Sequence, residues 1–124
     1  MAKKKGPSYE TKMINALKNL PNPLEDFRHS LLLYFVDNRA RSNETRYEHI
    51  IKSSHGLLPA DIKYIPEGIK KSKLKKDKLR KWTYEYVFER KGNKREYMKI
   101  CVQLDKDDSH IAVVKTIFIS KNGK

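Results

Sequence analysis

The last third of the chain alternates, and that pattern limits the fold more than any other feature. In "WTYEYVF" Trp82, Tyr84, Tyr86 and Phe88 fall on one face. In "YMKICVQL" Met98, Ile100, Val102 and Leu104 do the same. In "HIAVVKTIFI" Ile111, Val113, Ile117 and Ile119 stand against Ala112, Val114, Thr116 and Phe118. A period of two belongs to strands with one buried face. The links "ERKGNKRE" and "DKDDSH" are short, polar and turn-like. Three sequential strands with short links predict an antiparallel meander.

Upstream the period changes. Met13, Ile14, Leu17 and Leu20 have helical spacing within Ser8–Leu20. Asn22-Pro23-Leu24-Glu25 reads as a second helix start, with Asn as cap and Pro at the first position. That helix could run to about Val36, although the apolar block Leu31–Val36 fits a buried strand equally well. Ser42 or Asn43 can cap another helix, with Glu44 in its first turn, running to about Ser54 and stopped by Gly56. In "LLPADIKYIPEGIKKSKL" two prolines predict short pieces, with Ile62, Ile65 and Ile69 anchoring a helical turn. Helices first and strands after predict an α+β fold, N-terminal helices packed on a three- to four-stranded antiparallel sheet. One domain is expected over residues 8–120, with a flexible basic tail over 1–7 and a short tail over 121–124.

Charge narrows the function. The 124 residues carry 28 Lys and Arg against 15 Asp and Glu, a formal net charge of +13. A surface so biased attracts polyanions, nucleic acid first among them and anionic membrane second. The bias is concentrated: Lys70, Lys71, Lys73, Lys75, Lys76, Lys78, Arg80 and Lys81 lie in one stretch with a single acid, Asp77. This run reads as a strip for a phosphate backbone, or as a solvated loop. Tyr84 and Tyr86 are candidate stacking platforms for bases, against a plain core role. Lys99 and Gln103 lie on the less apolar face of the middle strand and can join that surface.

Several chemistries are disfavoured. One cysteine, Cys101, makes neither an internal disulfide nor a paired-cysteine zinc site. His49 and His55 are six apart and share no helical face, so no metal and no cofactor is expected. No Gly-x-Ser-x-Gly elbow or phosphate-cradling glycine loop exists. No secretory signal and no apolar stretch of about 18–20 residues is visible, so a cytoplasmic protein away from membranes is expected.

Metal-independent RNA cleavage asks for little. The ribose 2′-hydroxyl attacks the adjacent phosphorus, and the protein supplies a base, an acid and cations for the phosphorane. Histidine suits the proton roles and arginine the phosphoryl oxygens. Arg46 and His49 lie three apart on a helix turn, with His55 beyond, and Thr116 sits in the final strand.

The order of motifs adds a resemblance. "TRYEHIIKSSHG", then "IKYIPEGIKK", then strands ending in "AVVKTIFIS" resembles the phage-associated branch of the barnase/EndoU/colicin/RelE-like (BECR) nuclease superfamily over about Glu44–Ser120. The matching positions are Arg46, His49-Ile50, His55, Ile65-Pro66 with Ile69, and Val113-Val114-Lys115-Thr116. Gly56 stands where the family often has proline. The resemblance implies a metal-independent endoribonuclease, phage-encoded effector or toxin, acting on tRNA or mRNA. Catalytic roles then fall to Arg46, His49, His55 and Thr116. The positive charge also suits an acidic immunity or antitoxin protein as a partner. Two rivals remain at this point: a nucleic-acid-binding module that does not cut, and a basic domain that meets an acidic protein.

Overall fold

Burial alternates with period two over Leu24–Asp26 and again over Leu31–Phe35, with an exposed turn between, so these two stretches are extended rather than helical. The computed structural model describes residues 9–35, 50–51 and 56–121. Helix α1 spans Tyr9–Lys18, and Met13, Ala16 and Leu17 form its buried face. Strand β1, Leu24–Asp26, buries Leu24 and Asp26. Strand β2, Leu31–Tyr34, buries Leu31 and Leu33. The helix start expected at Asn22-Pro23-Leu24-Glu25 is therefore corrected. The Asn22 side-chain carbonyl accepts the Phe35 N–H at 2.9 Å and ties the open end of the β1–β2 hairpin, instead of capping a helix. The apolar block resolves as a strand because every second residue enters the core.

Helix α2, Pro59–Lys71, runs unbroken through Pro66. Short pieces were expected there. Pro59 sits in the first turn, where no N–H is needed, and the Asp61 carboxylate accepts the Leu58 N–H at 2.9 Å. An interior proline costs about 3 kcal/mol. Ile62, Ile65 and Ile69, all buried on one stripe, offset that cost. The helix also approaches the sheet closely at Gly68, where a Cβ would overlap the Phe88 ring. Ile50 and Ile51 are helical too, and Ile50 lies in the core.

Strands β3 (Lys73–Lys76), β4 (Thr83–Arg90), β5 (Asn93–Leu104) and β6 (Ile111–Ser120) follow. Among the described residues the sheet has six strands in the order β1-β2-β6-β5-β4-β3. The α+β class holds, but the sheet is larger than expected and mixed: β2 pairs with β6 in parallel, and every other pair is antiparallel. The extra strands come from segments read as helix or as loop. β1 and β2 fall between helices in chain order, so helices do not simply precede strands. β3 escaped detection because it is an edge strand made mainly of lysines, which discourage pairing with another chain's edge.

One face of the sheet carries Tyr86, Phe88, Met98, Ile100, Val102, Ala112, Val114 and Ile117 against the helices. Unbroken alternation would bury Ile111, Val113 and Ile117, the more apolar face of β6, and a β-bulge prevents this. Cys101 pairs with Thr116 but Val102 pairs with Val114, leaving Lys115 as an extra residue. The extra residue shifts the phase, so Ala112 and Val114 face inward before it and Ile117 after it.

The sheet is curled. β1 and β4 are separated by four strand spacings, roughly 19 Å if the sheet were flat. Yet the Tyr86 hydroxyl on β4 donates to Asp26 Oδ2 on β1 at 2.6 Å. The Arg28 guanidinium also donates to the Ser72 carbonyl, joining the turn after β1 to the residue before β3. The two edges of the sheet thus meet across the helix-covered face.

Candidate nucleic-acid interface

The lysine run occupies three consecutive elements along one sheet edge. Lys70 and Lys71 end α2, Lys73, Lys75 and Lys76 lie on β3, and Lys78, Arg80 and Lys81 lie in the β3–β4 loop. All but Lys75 are exposed. Pairing of Leu74 with Tyr86 turns Leu74 toward the core, so Lys73 and Lys75 fall on the opposite face, beside Val87 and Glu85. The run's single acid is held by the loop backbone. Asp77 Oδ1 accepts the backbone N–H groups of Leu79 (2.8 Å) and Arg80 (3.1 Å). Those two bonds, Leu79's first, hold its carboxyl below the ordinary range.

The loop also presents apolar side chains. Leu79 is 94% exposed and Trp82 44%. Trp82 has φ 64°, the left-handed region that bulky residues avoid. Its carbonyl accepts the Leu104 N–H at 2.7 Å, and Asp77 N–H donates to the Thr83 carbonyl at 2.9 Å, so both sides of the loop are tied. A cleft of about 570 Å³ opens among Lys76, Leu79, Arg80, Trp82 and Tyr84.

A second cluster sits where the sheet edges meet. Asp26 Oδ2 accepts from His29 Nδ1 at 2.7 Å and from the Tyr86 hydroxyl at 2.6 Å, while Oδ1 accepts the Arg28 N–H at 3.1 Å. The side chain of Asp26 is 2% exposed and that of His29 32%. A buried carboxylate on Nδ1 orients an imidazole whose Nε2 is the ring's other proton-carrying position. Burial first, then the bonded carboxylate, holds the Tyr86 proton well above the ordinary phenol range. Arg28 binds Ser72, so this cluster adjoins Lys71 and Lys73 at the head of the basic strip. Sequence reading passed over His29 because it treated Asp26 to His29 as one turn of a helix. The signal was an Asp three residues before a His, with no apolar stripe between them.

The remaining candidates are placed as follows. Arg46, His49 and His55 lie outside the described residues. Thr116 stands opposite Cys101 on the sheet face that the core cluster does not use, with Lys99 opposite Phe118 and Gln103 opposite Val113. Lys99 is 9% exposed, and its ammonium lies 3.9 Å from Glu85. Burial pushes the Cys101 thiol up. Tyr84 is partly buried against the core, and Tyr86 is fully buried, with no ring face open to a base. Among the described residues no group of three His, Cys, Asp or Glu could hold a metal ion, and no helix is long and apolar enough to cross a membrane. No family model, no curated protein and no solved structure matches the chain.

Proposed function

We propose that this protein binds RNA along the β3 edge and cleaves it without a metal, as a domain of the nuclease superfamily that its motifs resemble. The observation that carries the binding half is the strip itself: exposed cations from Lys70 to Lys81 follow one sheet edge, with the one acid among them engaged by backbone N–H groups. A line of lysines suits a phosphate backbone and carries no sequence preference. Replacing Lys73 and Lys76 by Glu tests it. RNA affinity should fall, and the log–log salt slope should flatten by about 1.4 if each removes one contact to a single strand. Unchanged affinity and slope would reject the strip.

The cleavage half is supported by the Asp26-held His29 beside that strip. It joins Arg46, His49 and His55 as candidates for the proton and phosphate roles, whereas Thr116 lies on the sheet face opposite the one that carries Tyr86. The 2′-oxygen bonds to phosphorus as its proton passes to an imidazole. The bond to the 5′-oxygen breaks, and that oxygen takes a proton from an acid or from water. Bulk RNA incubated with EDTA should yield cyclic-phosphate ends. His49→Ala and His29→Gln, compared in parallel, show which imidazole the reaction uses. Intact RNA after incubation with wild type leaves a binding module.

The same basic edge suits an acidic immunity or antitoxin protein as a competitor for RNA, because complementary charge steers both encounters.

A further inference from the structure

We infer that the β3–β4 loop is a stacking platform for an unpaired base, so that the preferred ligand is single-stranded RNA rather than duplex. This rests on the RNA-binding reading above and narrows its substrate class.

A tryptophan left 44% exposed on a loop keeps apolar surface in water. Here it is also held in a left-handed backbone conformation at φ 64°. Strain of that kind persists only where surrounding bonds over-determine it. Those bonds are present: Leu104 to the Trp82 carbonyl, Asp77 to the Thr83 carbonyl, and the Asp77 carboxylate on the backbone of Leu79 and Arg80. The ring is therefore offered by a loop whose backbone is already ordered, which reduces the entropy lost on binding.

The surroundings specify what the ring should meet. Lys76, Lys78, Arg80 and Lys81 put positive charge around Trp82, and Tyr84 supplies a second, partly buried ring in the same cleft. The complementary ligand presents a flat π surface and negative charge together. An unpaired nucleotide does so, whereas a duplex hides its base faces by stacking them on each other. The lysines of β3 lead directly into this loop, so one strand can lie along the edge and end with a base on the indole.

Trp82 is the chain's only tryptophan, so its fluorescence reports on the loop alone. Titration with a short oligouridylate should quench it, and a duplex of equal length should bind more weakly and quench little. Trp82→Gly removes the ring at a position whose backbone suits glycine, avoiding the strain alanine would keep. It should lose about tenfold in single-strand affinity by filter binding and leave duplex affinity unchanged. Trp82→Phe should retain most of the binding. Equal affinity for both nucleic acids, a silent tryptophan, or a Trp82→Gly variant that binds like wild type would overturn this inference while leaving the strip intact. Failure to bind either nucleic acid would remove the RNA-binding reading as well. A blue shift with phosphatidylglycerol vesicles and no response to RNA would assign the loop to a bilayer instead, and would also overturn it.

Discussion

Tyr86 on β4 donates its hydroxyl to Asp26 on β1 at 2.6 Å, although three strands lie between them in the sheet. This bond both closes the curl and holds the carboxylate that orients His29. It links the shape of the sheet to the Asp26–His29 pair.

Removing that hydroxyl should loosen the fold. Tyr86→Phe leaves a buried carboxylate with one partner fewer, a loss of about 1–3 kcal/mol, read from urea denaturation. The effect should depend on pH. An unfolded tyrosine ionises near 10.0, while burial and Asp26 keep the folded Tyr86 protonated far above that. Its stabilising contribution is therefore complete below about pH 10 and erodes as pH rises further. The stability gap between wild type and Tyr86→Phe should narrow in alkaline solution. A gap that stays constant would contradict the buried, carboxylate-bonded phenol.

His29 and Asp26 should act together on cleavage. His29→Gln should lower RNA cleavage in EDTA by about a hundredfold or more, the usual contribution of a positioned proton-transfer group. RNA affinity, set by the lysines, should not change. Asp26→Asn should show the same loss with lower stability, because the amide replaces an acceptor shared by two donors. Full cleavage by both variants would leave His29 a turn-stabilising residue.

Gly68 should not tolerate a side chain. A Cβ there meets the Phe88 ring, and the neighbour to move is a packed aromatic. Gly68→Ala should cost about 1–3 kcal/mol by chemical denaturation. Trimming the ring with Phe88→Leu in the same chain should recover part of that loss, giving a measurable coupling between the two sites.

Cys101 should be a sluggish nucleophile. Burial raises its thiol above the ordinary value, and a thiol is reactive only as thiolate. Labelling by a disulfide reagent near pH 8 should be slower in the native protein than in guanidinium at the same pH. Equal rates would mean that the sheet face around Thr116 is open to solvent at this position.

The local patterns were legible wherever one face of an element is uniformly apolar. Tyr84, Tyr86 and Phe88, and Met98, Ile100 and Val102, alternate without interruption, and β4 and β5 are strands. Met13 and Leu17 mark α1 in the same way. The reading failed where side chains alone do not reveal the backbone's partners. β3 is nearly all lysine, so nothing in its composition separates a strand from a loop until Leu74 is seen opposite Tyr86. Strict alternation puts Lys115 on the same face as Val113 and Ile117, yet it is the extra residue of the bulge that reverses the inward face.

The charge of +13 and its concentration between Lys70 and Lys81 are properties of the chain alone, because charge is additive and needs no fold. Those facts already point to a polyanion. The tertiary structure decided which groups share a place: Asp26 with His29 and Tyr86, Arg28 with Ser72, and Trp82 among the cations of its loop. These meetings depend on how far the sheet curls and where its edges close. That closure is a sum over long-range contacts that no local stretch of sequence encodes.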